Sequence, residues 1–420
     1  MAHLASSNRG WALARQTAET RPARKPSAPQ GAVARRKVLY IHGFDPRGPG
    51  PYHAMFVEEA TRSAQLSGRP IEVGARRRGQ DRLASWSVAA GEGAGRVEAE
   101  YDFLRWDDRV RARWSKGEVA LLGELAAWLS TWGRLGFFGV ARKQARALWM
   151  AMLSTPVVTG LYLLSALVVI SILGFGAGVV AHTLGMPYWT GAIPALASLL
   201  LAPGVWRWLE EKLNVCWLSR CFTYMRRRAG EPSPDLAERD RAFAAAIASA
   251  WADETYDEVL VVGHSLGALH AISALARALA DNPRLGTDGR LSLLTLGQPI
   301  AVFTPLPGAA GFRKELEAFA RAGQIAWLDV TSPSDPASGC ALDPLGDIAI
   351  ESQGRFVQKS PRFHIFLTPE HFRAIRRDPI NFHFQYLRAP DVAGGFDYFD
   401  MVCGPARMMD HPWVRSAAAT

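Results

Sequence analysis

Residues 258–269 read EVLVVGHSLGAL, and this stretch decides the fold because an apolar strand runs through a glycine-flanked serine into a helix. Four apolar residues before the first glycine predict a buried strand, and Leu266 to Asp281 predicts a helix of small residues. Gly263 and Gly267 flank Ser265, where larger side chains would collide with the adjoining strand and helix. The order of strand, sharp turn and helix is that of a nucleophile elbow, so Ser265 is the candidate nucleophile.

A second glycine-rich turn follows the first apolar strand of the chain. Val38 to Ile41 predicts a buried parallel strand, and His42-Gly43-Phe44 ends it upstream of the serine. Where a nucleophile elbow is present, one oxyanion donor comes from such a loop and the other from the residue after the nucleophile. We therefore expect the backbone N–H groups of Phe44 and Leu266 to form an oxyanion hole, and His42 to have a structural or positioning role.

Strand and helix signals alternate along the rest of the chain. Further strands are predicted at Ile71–Ala75, Val97–Trp106, Leu291–Leu296 and Ile325–Val330, and further helices at Asp235–Trp251 and Phe312–Ala322. This alternation predicts an α/β fold with a mostly parallel sheet.

The catalytic acid and base are expected downstream of Ser265, in the chain order serine, acid, histidine. Asp335 lies on the loop after the last predicted strand, and Asp343 lies further along that loop. We favour Asp335 as the acid that would hold the imidazole in one tautomer, with Asp343 as the alternative. Four histidines follow this loop; we favour His383, which lies in an aromatic cluster, as the base, with His364 as the alternative.

Three segments resemble strands of lipase-like α/β-hydrolases, namely Lys37–Gly43, Val259–Gly267 and Leu291–Pro299. The similarity covers roughly residues 37–106 and 253–388. It implies an α/β-hydrolase fold and an esterase or lipase type of activity without a cofactor. One departure is that those enzymes usually carry a lid after a later strand, whereas this chain has an insert before the elbow strand. The residues that the resemblance assigns are Ser265 as nucleophile, Asp335 as acid, His383 as base, and Phe44 and Leu266 as oxyanion donors.

The insert is an uncharged segment, since residues 147–206 contain no Asp, Glu, Lys or Arg. Met150 to Val180 exceeds the roughly 20 helical residues that cross a hydrocarbon core of about 30 Å. Tyr188 to Trp206 is a second, weaker apolar segment, so we predict a transmembrane hairpin. Basic residues flank both ends and predict that both ends, and the catalytic domain, lie in the cytoplasm at the inner membrane. The alternative is a buried helical hairpin of a soluble core.

Composition and the distribution of charge also limit the classes of ligand and partner that the chain is expected to bind. The formal net charge is +9, and residues 1–37 hold many of the basic residues with a single acid, Glu19, which predicts a solvated basic tail. Basic residues are not interleaved with aromatic residues on a folded surface, which argues against nucleic acid as a partner. The four cysteines lack paired metal-ligand spacing, so we expect free thiols and no metal.

These predictions divide the chain into a basic disordered tail (1–36), the first part of the α/β domain (37–135), the inserted hairpin with flanking helices (136–230) and the second part of the α/β domain (231–420). The predicted function is a membrane-anchored serine hydrolase that cleaves an ester of a lipid or another acylated small molecule. A membrane-bound acyltransferase with the same triad and a catalytically silent hydrolase-fold scaffold are the alternatives.

Overall fold

The computed structural model describes residues 32–79, 83–114, 118–134, 146–198, 200, 203–206, 208, 215–230, 233–346 and 355–416. The strands are β1 Arg35–Ile41, β2 Ile71–Val73, β3 Arg77–Arg78, β4 Leu83–Ala90, β5 Val97–Leu104, β6 Glu258–His264, β7 Leu291–Leu296, β8 Ala326–Val330 and β9 Phe356–Lys359. The helices before β6 are α1 Pro49–Ser67, α2 Asp107–Ala112, α3 Glu118–Arg134, α4 Arg146–Thr183, α5 Ala192–Ser198, α6 Val215–Gly230 and α7 Pro234–Ala252. Those after it are α8 Gly267–Asp281, α9 Ile300–Phe303, α10 Ala310–Ala322, α11 Phe363–Phe366, α12 Pro369–Arg376, α13 Pro379–Phe384, α14 Tyr398–Cys403 and α15 Pro412–Arg415.

In the described part of the chain, the strands form one mixed sheet in the order β2-β4-β5-β1-β6-β7-β8-β9, with β3 paired to β4. Six adjacent strands run parallel to one another, in the order β5-β1-β6-β7-β8-β9, and β4 is antiparallel to β5. The order reverses at β1, because the chain builds outward to β5 on one side and to β9 on the other. Open α/β sheets bind ligands at the carboxyl ends of the strands beside such a reversal.

The central strands are buried on both faces. Leu39 and Ile41 of β1 lie in the apolar core on one face of the sheet, and Val38 and Tyr40 lie in the core on the other. Such continuous apolar strands are typical of parallel sheets with both faces covered. The chain is therefore an α/β protein with a mostly parallel mixed sheet, as the sequence predicts.

Two helices are long and apolar enough to span a membrane. The first is α4, Arg146–Thr183, with a mean hydropathy of 2.5 in a window that is only 6% buried. The second is Tyr188–Trp206, with a mean hydropathy of 1.3 and 20% burial. A Cβ on Gly191 would lie 2.4 Å from the Gly174 carbonyl oxygen, so this glycine allows the two arms to approach closely.

The structure corrects several details of the predicted organisation. The tail prediction is wrong at Arg36, which is fully buried in β1 and pairs with Glu258 of β6 at 2.6 Å; residues 1–31 lie outside the described residues. Strands β3, β4 and β9 are additional to the predicted set. Among the described side chains, Cys221, Cys340 and Cys403 carry free thiols, and the Cys216 side chain lies outside that set.

Candidate active site

Ser265 lies between the end of β6 and the start of α8, with a strained backbone. Its φ angle is 55°, in the left-handed region that non-glycine residues rarely adopt. The turn is held because the Ser265 N–H donates to the Leu296 carbonyl oxygen at 2.8 Å. A Cβ at Gly263 would lie 2.7 Å from Ala268 Cα, and one at Gly267 would lie 2.2 Å from the Ile41 carbonyl oxygen. Both glycines are thus required by close backbone contacts.

The loop after β1 lies against the serine. A Cβ on Gly43 would lie 2.8 Å from Ser265 Cβ, so only glycine permits this approach. The ring of Phe44 packs against Tyr224 of α6 at 4.8 Å between centroids and fixes the loop. Within the described part of the chain, neither the Phe44 nor the Leu266 backbone N–H donates a hydrogen bond to another backbone group. Both predicted oxyanion donors therefore flank the serine and are available to a ligand.

His383 and Asp335 form a buried pair. Asp335 follows β8, and His383 lies on α13, whose N-terminus is capped by the Asp378 carboxylate. The His383 Nδ1 and Asp335 Oδ2 atoms are 2.8 Å apart. Because a carboxylate accepts, Nδ1 carries the proton and Nε2 is left as the acceptor. His383 Nε2 is buried and has no hydrogen-bond partner among the described residues, Ser265 included.

Ser265 and His383 line the same cavity, which has a volume of about 420 Å³ and which we call the polar cavity. Its wall also includes Gly43 and Phe44 from the β1 loop. Several polar side chains complete it, namely Asp45, Arg47, Arg220, Asp378 and Asn381. The cavity opens at the carboxyl ends of β1 and β6, beside the reversal of strand order.

The two alternative residues lie elsewhere. Asp343 is exposed, and its carboxylate accepts from the Leu345 N–H at 2.9 Å within its own turn. His364 is also exposed, and its ring lies 6.2 Å from that of Phe372. Neither residue lines the polar cavity. The structure therefore brings together the favoured residues Ser265, Asp335 and His383, and not the alternatives.

Three further residues support the histidine–aspartate pair, and none of them is among the site residues predicted from the sequence. The Tyr386 hydroxyl donates to Asp335 Oδ2 at 2.9 Å and accepts from the Ser332 N–H at 2.9 Å. Burial and the Asp335 carboxylate raise the pKa of Tyr386, so its hydroxyl remains a donor. Gly297 has φ 55°, and a Cβ there would lie 3.0 Å from His383 Cε1. The Leu-Gly-Gln-Pro sequence after β7 was the one available signal, since it places a glycine at a strand end.

His264 is the third of these residues. Its Nε2 atom donates to the His383 carbonyl oxygen at 3.2 Å, and the two rings lie 4.9 Å apart. Burial, followed by the neighbouring His383, lowers the pKa of His264 well below the ordinary value. His264 therefore stays neutral and acts as a spacer beside His383.

Charged groups at the mouth of the cavity are paired. Arg47 binds the Asp45 carboxylate at 2.7 Å, and Tyr52 donates to the same carboxylate at 3.0 Å. Burial alone would raise the pKa of Asp45, but the hydrogen bonds from Arg47 lower it overall. His42 lies deeper, stacked on Phe103 at 5.0 Å, and burial lowers its pKa to about 4. Asp45, Arg47 and Tyr52 line the cavity, whereas His42 does not.

The described residues contain no group of three or more His, Cys, Asp or Glu side chains that could hold a metal ion. Comparison with family models, curated proteins and solved structures finds no match to this chain. The residues and their geometry are therefore the basis of the functional argument.

Proposed function

We propose that this protein is a serine hydrolase of the α/β-hydrolase type that cleaves an ester bond through an acyl-enzyme on Ser265. One observation carries the proposal. A serine at a strained turn shares a cavity with a buried histidine whose Nδ1 is bound to a buried aspartate and whose Nε2 has no partner among the described residues. Serine, histidine and aspartate in these relative roles are the components of a catalytic triad.

The chemistry follows from the positions of the donors. His383 Nε2 takes the Ser265 proton as Oγ attacks the acyl carbon, and Asp335 stabilises the imidazolium that forms. The Phe44 and Leu266 N–H groups bind the oxyanion of the tetrahedral intermediate, an effect worth about 3 kcal/mol for each donor in such holes. His383 then protonates the leaving alcohol, and a water molecule activated by the same histidine hydrolyses the acyl-enzyme.

We propose in addition that α4 and Tyr188–Trp206 anchor the enzyme in a membrane as a hairpin. Both ends of the hairpin belong on one side, because β1 and β5 precede it, β6 follows it, and all three pair in the same sheet. A single crossing would divide that sheet across the bilayer and leave its backbone groups unpaired. The basic residues beside the hairpin favour the cytoplasmic side for the sheet.

Covalent labelling tests the enzymatic proposal. A fluorophosphonate probe should label the detergent-solubilised protein, and Ser265→Ala should abolish both labelling and ester turnover. The matched control is Ser334→Ala, an exposed serine on the Asp335 loop, which should leave labelling unchanged. Labelling that persists in Ser265→Ala would contradict the assignment, and an unlabelled parent would favour a catalytically silent scaffold. Transfer of the acyl group to an added alcohol, faster than hydrolysis, would identify the acyltransferase alternative.

A further inference from the structure

A second, much smaller cavity adjoins Ser265, and we call it the apolar slot. Its volume is about 20 Å³, and its wall includes Ser265 and the oxyanion residue Leu266. The remaining wall is almost entirely apolar and includes Leu148, Trp217, Cys221, Met225, Val302 and Ala337. The slot is therefore a distinct environment on another side of the nucleophile from the polar cavity.

The mechanism assigns each cavity to one half of an ester. His383 must reach the oxygen of the leaving alcohol in order to protonate it, and His383 lines the polar cavity but not the apolar slot. The alcohol therefore occupies the polar cavity. The acyl substituent points away from the leaving group at the carbon bound to Ser265 Oγ, and the slot beside Leu266 receives it. Trp217 lines both cavities and separates them, with its ring 5.9 Å from that of His383.

The size of the slot limits the acyl group. A cavity needs about 10–15 Å³ measured in this way to hold one water molecule, so 20 Å³ accommodates a methyl or ethyl group beside the carbonyl. The walls are firmly packed, because Leu148, Met225 and Val302 are each at most 3% exposed. Enlarging the slot would require these buried side chains to move, and close-packed interiors resist such movement.

The polar cavity is larger and of mixed character, since Trp114 and Phe384 line it beside its charged groups. Its volume of about 420 Å³ is in the range of sites for whole small molecules. The Asp45–Arg47 ion pair, Arg220 and Asn381 offer hydrogen-bond donors and acceptors to a hydroxylated group.

From these two cavities we infer that the substrate is a short-chain ester, with an acyl group of two to about three carbons on a large polar alcohol. The inference rests on the proposed function. It also gives the membrane insert a role in specificity, because Leu148 belongs to α4 and Trp217, Cys221 and Met225 belong to α6, the helix that follows the hairpin.

A series of p-nitrophenyl esters from acetate to octanoate tests the inference on the full-length protein in detergent. Each methylene that does not fit a pocket changes kcat/KM by about 10-fold or more. We expect kcat/KM to be highest for acetate and propionate and at least a hundredfold lower for octanoate. Met225→Ala should enlarge the slot and raise the octanoate-to-acetate ratio at least tenfold. Ile380 lines the polar cavity and not the apolar slot, so Ile380→Ala should leave the order of chain lengths unchanged.

A second variant covers the case in which Met225→Ala does not fold. Ala337→Val reduces the slot and keeps the backbone N–H that donates to Asp335 at 2.9 Å, so it should lower the butyrate-to-acetate ratio. Equal or faster turnover of octanoate by the parent overturns the short-chain inference and leaves the serine hydrolase intact. Labelling of Ser265 by a fluorophosphonate without turnover of any ester in the series also overturns it. Absence of both labelling and turnover overturns the proposed function itself.

Discussion

Strand β6 and helix α4 are both built mainly from apolar residues, and the fold surrounds them differently. All seven residues of β6 are buried, whereas large side chains of α4 such as Leu164, Leu167 and Ile172 are 56%, 60% and 64% exposed. Soluble proteins rarely expose a continuous apolar surface of this extent. Two elements of similar composition therefore have different surroundings. These are the protein interior for β6 and, in our proposal, lipid for α4.

Polar groups also have different partners in the two regions. Around β6 the buried polar atoms are arranged in directed contacts, as in the pair formed by His383 and Asp335 with Tyr386. On α4 the hydroxyl of Ser165 donates to the Leu161 carbonyl of its own helix at 2.7 Å. Buried polar groups need partners wherever water is excluded. In these examples the contacts near β6 join residues far apart in the chain, and the contact on α4 is local.

The largest effect on activity is expected for substitutions of the proposed catalytic residues, which lie in the buried region. His383→Ala or Asp335→Asn should lower kcat by about 10⁴–10⁶ and should be strongly non-additive with Ser265→Ala, because the three residues act as a unit. Kinetics on a p-nitrophenyl ester would measure this loss. His364→Ala is the control, since that histidine is exposed and outside the cavity. If His383→Ala retained nearly full activity while His364→Ala lost it, the assignment of the base would be wrong.

Placing a charged residue in each arm of the proposed hairpin tests whether the exposed apolar side chains lie in a membrane. Leu167 and Leu196 are 60% and 62% exposed, so arginine at both positions would leave the packing of the sheet domain unchanged. At the centre of a membrane helix each such change costs about 3 kcal/mol relative to leucine. We expect the Leu167→Arg/Leu196→Arg variant to lose at least half of its carbonate-resistant membrane fraction and to keep fluorophosphonate labelling in detergent.

The matched control for this variant is Leu167→Ala/Leu196→Ala, which shortens the same side chains without adding charge. It should remain in the membrane fraction, because alanine is tolerated in membrane helices. A parent protein that carbonate removes from membranes would overturn the anchor and favour a hairpin held within a soluble assembly.

The features of the site that depend on residues close together in the sequence could be predicted. Contacts between residues far apart in the chain could be predicted only in part. The glycines around Ser265 are a local requirement of a strand-to-helix turn, so their spacing was readable. The choice of Asp335 over Asp343 followed from strand ends and chain order. The supporting role of Tyr386 was missed, because its hydroxyl meets a carboxylate 51 residues away along the chain.

The same distinction explains the errors in the fold. Arg36 was assigned to the solvated tail because its neighbours in sequence are basic, yet its partner Glu258 lies 222 residues away. Strand β4 is absent from the predicted set because only every second residue is buried and alanine and serine fill five of its eight positions, Leu-Ala-Ser-Trp-Ser-Val-Ala-Ala, so that its apolar signal is weak. Periodicity therefore located the strands with strong apolar runs, and pairing in the sheet determined the rest.

The smallest predicted effect is a change of stability with pH, which comes from the buried imidazole of His42. His42 has a pKa of about 4 in the folded protein, against an ordinary value of 6.5, because of burial. As the pH falls below 6.5 the unfolded chain binds a proton that the folded protein excludes until about pH 4, so stability decreases through this window. Between pH 6.5 and 5.5 the loss should be about 1 kcal/mol, since one pKa unit corresponds to about 1.4 kcal/mol.

Denaturant unfolding of the detergent-solubilised protein at the two pH values would measure this loss. His42→Phe retains an aromatic ring between Phe103 and Trp106 and removes the titratable group. Its stability should therefore decrease by about 1 kcal/mol less than that of the parent over the same interval. Phe103→Leu is the control, because it disturbs the same stack without removing an imidazole and should keep the pH dependence of the parent. An identical pH dependence in His42→Phe and the parent would contradict the prediction. It would show that His42 binds a proton equally well in the folded and unfolded states, so that its burial at the end of β1 does not lower its pKa.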